Sequence, residues 1–107
     1  METKQIGIVK SEGIEFPVAF GMETLYLYQK NFKRSLDKDL QQFGEQATQG
    51  TFDHGKYHIK ALQIVWAFAK SADPKIKRPK TWMKQFVGHS PYDIFVQVEK
   101  LLVKEVS

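Results

Sequence analysis

Ile59-Lys60-Ala61-Leu62-Gln63-Ile64-Val65-Trp66-Ala67-Phe68-Ala69 is apolar at nine of its eleven positions. A surface helix carries about three to four apolar residues per two turns, so a helix that is apolar almost all round has to be covered on several sides. The block is too short for a bilayer span, which takes roughly 20 apolar residues. It is also long for a buried strand, about 4 to 8 residues, and its three alanines favour helix. The stretch therefore predicts a buried central helix over residues 53–72. Asp53 is placed to cap its start, and Pro74 pushes Asp73 out of helical geometry at its end.

The chain, 107 residues in all, is the right size to wrap one such helix into a single domain. Hydrophobic residues make up 42% and charged residues 26%, which argues against global disorder. With no cysteine, disulfides, thiol catalysis and cysteine-ligated zinc are excluded. Met1-Glu2-Thr3-Lys4-Gln5-Ile6 lacks the apolar run of a secretory signal, so a cytoplasmic location is the expectation.

Residues 5–9 and 14–19 are short, rich in β-branched and aromatic residues, and separated by Lys10-Ser11-Glu12-Gly13, a hairpin pattern. Pro17 demotes the second strand to an edge. The edge of residues 5–9 has no proline and is expected to be free to pair with another chain. From residue 22 to 43 the apolar period becomes helical, with Met22, Leu25, Tyr28, Phe32, Leu36, Leu40 and Phe43 on one stripe. Ser35 divides this stretch into one or two amphipathic helices. Residues 44–55, with three glycines, read as a mobile loop.

Two helices are expected over residues 81–104. Thr81 would cap a short one carrying Trp82, Phe86 and Val87, closed by Gly88. Ser90-Pro91-Tyr92-Asp93 opens the last, with Ser at the N-cap and Pro at the first helical position, and Ile94, Phe95, Val98, Leu101 and Leu102 face inward. The fold class is α+β and mainly α-helical: an N-terminal β-hairpin followed by four or five helices around the central one.

No catalytic or metal signature stands out. His54 and His58 are four apart and could face one way, but a zinc site needs a third protein ligand, so they read as solvated histidines. Asp37 and Asp39 do not share a helix face. No serine sits in a nucleophile elbow, and the glycines do not form a phosphate-cradling loop. The expectation is a protein that is not an enzyme and needs no cofactor or metal.

Charge is unevenly placed. Residues 70–84 hold Lys70, Lys75, Lys77, Arg78, Lys80 and Lys84 against Asp73, a local +5 within a chain of net +4, which leaves −1 for everything else. A Lys/Arg run beside Trp82 suggests a nucleic-acid surface formed by Lys75, Lys77, Arg78 and Lys80. The modest total charge favours instead a solvated face or an acidic protein partner. A chain this rich in aromatics is expected to leave some on its surface as protein contacts. Ile6, Ile8, Phe16, Tyr26, Tyr28, Trp82 and Phe95 are the candidates.

In this order of elements the chain resembles the tail assembly chaperones of long-tailed, siphovirus-type phages and prophages of Gram-positive bacteria. The resemblance lies in Ile14-Glu15-Phe16-Pro17-Val18-Ala19-Phe20-Gly21-Met22, a strand running into Phe-Gly at a helix start. The alanine-rich aromatic central helix and the closing helices with Ser90-Pro91-Tyr92-Asp93 between them extend it. It implies a non-catalytic protein that binds the tape-measure protein, keeps it soluble, assists assembly of the tail-tube protein around it, and self-associates as a homo-oligomer. It carries over no individual functional residue and implies no membrane partner. The basic connection over residues 75–80 lies outside the resemblance and sustains the alternative, a small basic nucleic-acid-binding regulator.

Overall fold

The computed structural model describes residues 3–49 and 54–106, with side chains described over 3–43 and 58–105. An antiparallel hairpin, β1 (Lys4–Ser11) and β2 (Ile14–Phe20), precedes α1 (Met22–Phe32), α2 (Leu36–Gln49) and α3 (His54–Ala72). Then come α4 (Pro79–Trp82), running into a 3-10 helix (Met83–Phe86), and α5 (Pro91–Val106). The expected α+β class, mainly helical, is the one observed.

The central helix is covered as its composition requires. Ile64, Val65, Ala67 and Phe68 are completely buried, with Trp66 at 2% and Ala69 at 1% exposure. Four elements supply the cover: β2, α1, α5 and the α4 region. Phe20 of β2 stacks on Phe68 at 5.6 Å, and Phe32 of α1 meets Trp66 edge-on at 5.7 Å. Phe43 of α2 closes on Phe95 of α5 at 4.8 Å.

In the hairpin, Ser11 pairs with Ile14 across the Glu12-Gly13 turn, where Gly13 takes φ 81°. Hydrogen-bonded and open pairs alternate back from that turn, so Ile8 and Pro17 face each other at an open pair and the missing proline N–H costs no ladder bond. The same alternation points the N–H and C=O of Lys10 outward. Gln97 of α5 takes both: the Lys10 N–H donates to Gln97 Oε1 at 3.0 Å, and Gln97 Nε2 donates to the Lys10 carbonyl at 2.8 Å. One turn further along α5, Leu101 packs so closely that a Cβ on Gly7 would lie 2.6 Å from its Cδ2. Another turn on, Glu105 pairs with Lys4 at 2.6 Å. The expectation of a free β1 edge is thus corrected: α5 runs along the strand, a common way of protecting an edge.

Lys33, at φ 57°, ends α1, and Ser35 opens α2 by accepting a long bond, 3.5 Å, from the Lys38 N–H. Two helices therefore fill residues 22–43. The loop expected over residues 44–55 is corrected at 44–49 and 54–55, which are helical, while residues 50–53 lie outside those described. α2 continues to Gln49, because Glu45, Gln46 and Ala47 are good helix formers and outweigh the single Gly44. The proposed cap Asp53 lies outside the described residues.

The N-cap of α1 is Gly21, where an added Cβ would sit 2.5 Å from Thr3 Cα, so only glycine allows the chain to pass there. The buried Thr24 hydroxyl accepts from the Gly21 N–H at 3.1 Å and lies 2.7 Å from Ser71 Oγ, tying α1 to the end of α3. α4 begins at Pro79 with Arg78 as N-cap, not at Thr81 as expected; proline is preorganised for the first helical position. Val87, expected within the short helix, lies just past the end of the 3-10 helix and is 84% exposed. α5 starts as expected, with the Asp93 N–H donating to Ser90 Oγ at 3.3 Å. No helix among the described residues is long and apolar enough to cross a membrane.

Candidate functional site

Residues 73–78 are folded back onto α3 by three side chains. Trp66 Nε1 donates to the Lys77 carbonyl at 2.9 Å, and Lys70 Nζ donates to the carbonyls of Pro74 and Ile76 at 2.8 Å each. Asp73 Oδ1 accepts from the Lys75 N–H at 3.1 Å and tightens the turn. The basic connection is therefore held, and it delivers α4 alongside the first half of α3 and the end of α1.

Between these elements lies a groove of about 680 Å³, lined by Asn31, Phe32, Ile59, Gln63, Arg78, Pro79, Lys80, Thr81, Met83 and Lys84. Its floor is apolar: Phe32, Pro79 and Met83 are half-buried, and Ile59, the one outward residue of the apolar block, is 61% exposed. Its rim carries Arg78, Lys80 and Lys84, all exposed. Among the described residues none of these three cations is in an ion pair. The two amide side chains of the lining are engaged, with Asn31 Nδ2 donating to the Leu27 carbonyl at 2.8 Å and Gln63 Oε1 accepting from Arg34.

Arg34 belongs to a polar cluster behind the groove. The buried Tyr28 hydroxyl donates to Asp39 Oδ2 at 2.5 Å and accepts from Arg34 at 3.0 Å. Arg34 Nε also reaches Asp39 Oδ2 at 3.0 Å. Burial, and then the bond to Asp39, push the Tyr28 phenol well above the usual tyrosine range. Its charge-assisted bonds hold α1 to α2 and set the wall behind Phe32 and Gln63.

The candidate contact residues fall into three groups. Tyr28 and Phe95 are core, at 0% and 2% exposure, which corrects their assignment to a contact surface and agrees with their places on the apolar helix stripes. Phe16 and Trp82 are half-buried against each other at 5.2 Å, and both pack on Phe86, while Ile6 packs against the core. Ile8 and Tyr26 are exposed, at 47% and 59%. Met22, one turn before Tyr26, is also 59% exposed, and Lys30 lies over the Tyr26 ring at 5.7 Å.

Of the basic candidates, Arg78 and Lys80 meet on the groove rim, whereas Lys75 and Lys77 lie outside it. Sequence reasoning missed Phe32, Ile59, Met83 and Lys84 as partners in one site. The available signal was Ile59, the first residue of the apolar block, which is exposed while the apolar residues after it are enclosed. The side chain of His54 lies outside those described, and no three potential metal ligands gather among the described residues. No family model, curated protein or solved structure matches this chain.

Proposed function

We propose that this chain is a non-catalytic assembly chaperone of the phage-tail type, which binds a helical stretch of a tape-measure protein and assists assembly of tail-tube protein around it. The observation that carries the reading is the groove between α1, α3 and α4. It offers partly exposed apolar side chains, Phe32 and Met83 among them packed on the core, as a protein that receives an amphipathic helix requires. Of its uncharged polar lining, Asn31 and Gln63 are bonded within the chain, and the free polar groups are mainly exposed cations along one wall, an arrangement suited to a protein surface rather than to orienting a small substrate. Self-association belongs to the same reading, through the exposed helical surface of Met22 and Tyr26; the covered β1 edge is left out of it. A cytoplasmic site of action in the bacterial host goes with it.

Coexpression tests the proposal. A tape-measure fragment with long apolar-striped helices, insoluble when made alone, is expected to stay in solution and copurify with this chain. A fragment that remains insoluble in its presence would count against the chaperone reading.

The nucleic-acid alternative draws on the unpaired Arg78, Lys80 and Lys84. It needs free aromatic faces as well, because single-stranded binding combines phosphate contacts with base stacking. Phe32, the aromatic in the groove, already has the Tyr28 ring at 5.1 Å, the Trp66 ring at 5.7 Å and the Arg34 guanidinium at 5.8 Å. Trp82 is taken by Phe16 and Phe86. Protein binding is the better supported reading.

A further inference from the structure

We infer that the occupant of the groove is an acidic amphipathic helix, with its apolar stripe on Phe32, Ile59 and Met83 and its carboxylates against Arg78, Lys80 and Lys84. The inference rests on the protein-binding reading above and adds the charge of the partner, which that reading leaves open.

Charge complementarity carries it. The segment of residues 70–84 holds all of the chain's excess positive charge, and the fold sorts that segment into two parts. Lys70 is spent on the carbonyls of Pro74 and Ile76, so it serves the turn. Arg78, Lys80 and Lys84 line the apolar groove with no anionic partner among the described residues. Lys80 stands on α4 and Lys84 on the 3-10 helix that continues it, and both line the groove. An uncompensated rim of one sign around an apolar floor favours a partner of the opposite sign and repels one of the same sign. The groove volume is within the range of ~300–1,000 Å³ that encloses a drug-sized group, enough for the side chains of a few helical residues but not for a folded domain.

The test uses two fluorescein-labelled helical peptides of about five turns, ~18 residues. Both carry leucine at the apolar positions. One has glutamate and the other lysine at the flanking positions, and oligothymidylate is the nucleic-acid probe. Fluorescence anisotropy is expected to show the glutamate peptide binding at least about tenfold tighter than the lysine peptide, and weakening as salt is raised. Each exposed ion pair is worth up to about fivefold and charge reversal adds repulsion in its place, so the double variant K80E/K84E should bind the glutamate peptide on the order of tenfold more weakly and the lysine peptide more tightly. Both lysines are exposed, so the variant's melting curve should match that of the parent. Ile59→Glu should weaken the glutamate peptide independently, through the floor.

Equal binding of the two peptides, absence of binding, unchanged binding by K80E/K84E, or tighter binding of oligothymidylate would each overturn the inference. If the acidic peptide fails to bind while the tape-measure fragment is still kept soluble, the inference falls and the chaperone reading stands. If both fail, both fall.

Discussion

Replacing Trp66 by alanine removes the largest side chain from the middle of α3, where it is 2% exposed, packed against Phe32 and bonded to the Lys77 carbonyl. A fully buried tryptophan truncated to alanine costs about 3–5 kcal/mol, through lost transfer energy and the cavity left behind. A domain has only about 5–15 kcal/mol in total, and each kcal/mol lowers the melting temperature by ~4–8 °C at this size, so a drop of at least about 12 °C is expected. Trp66→Phe separates two contributions. It keeps an aromatic ring against Phe32 but loses the N–H that holds the basic connection, at a cost of about 0.5–1.5 kcal/mol plus a smaller cavity term. Urea melts followed by circular dichroism measure both. A loss below about 1 kcal/mol for Trp66→Ala would mean that the central helix is not enclosed. Equal losses for the two variants would place the effect on the indole N–H and refute the packing argument.

Three further outcomes follow from the geometry. Asp39→Ala leaves the buried Tyr28 hydroxyl without its acceptor and Arg34 without its carboxylate; because the Arg34 side chain is 36% exposed, the cost should be about 1–3 kcal/mol in a urea melt, below that of a fully buried pair. The Tyr28 phenol is held above its ordinary value of 10.0, so the folded state keeps a proton that the unfolded state loses. Its stabilisation is complete below about pH 10 and is lost as pH rises beyond it, and Tyr28→Phe should flatten this part of the alkaline stability curve; identical curves would refute the burial argument. Gln97→Ala should uncover the Lys10 N–H and C=O and raise self-association measured by light scattering at rising concentration, with no change refuting the role of Gln97 as an edge cover.

Local signals in the sequence were the ones that carried through to the fold. The hairpin was legible because Gly13 and the β-branched runs lie within a few residues of each other, and α5 because Ser90-Pro91 marks its start. The enclosure of α3 was legible because an all-round apolar helix has few physical alternatives. What depends on distant residues was not legible. Gln97 and Lys10 are 87 positions apart, so nothing in residues 4–11 announces that the β1 edge is covered. The start of α4 was displaced from Thr81 because Pro79 competes for the first turn. Tyr28 and Phe95 were read both on apolar helix stripes and among the surface contacts, and their burial agrees with the stripes; the aromatic content alone does not say which rings are left outside. The basic segment was visible as charge, but its division into a turn-stapling Lys70 and a groove rim of Arg78, Lys80 and Lys84 depends on where α3 and α1 lie. The groove itself comes from three separate stretches of chain, and only Ile59 hinted at it.

Amide hydrogen exchange on this chain, alone and in complex with a tape-measure fragment, tests the central claim most directly, because it reads where a helical partner sits. The account predicts new protection at the end of α1, in the turns of α3 around Ile59, and across α4 and the 3-10 helix, with the hairpin unchanged. Protection confined to β1 and β2, or none anywhere when the fragment is demonstrably bound, would contradict it.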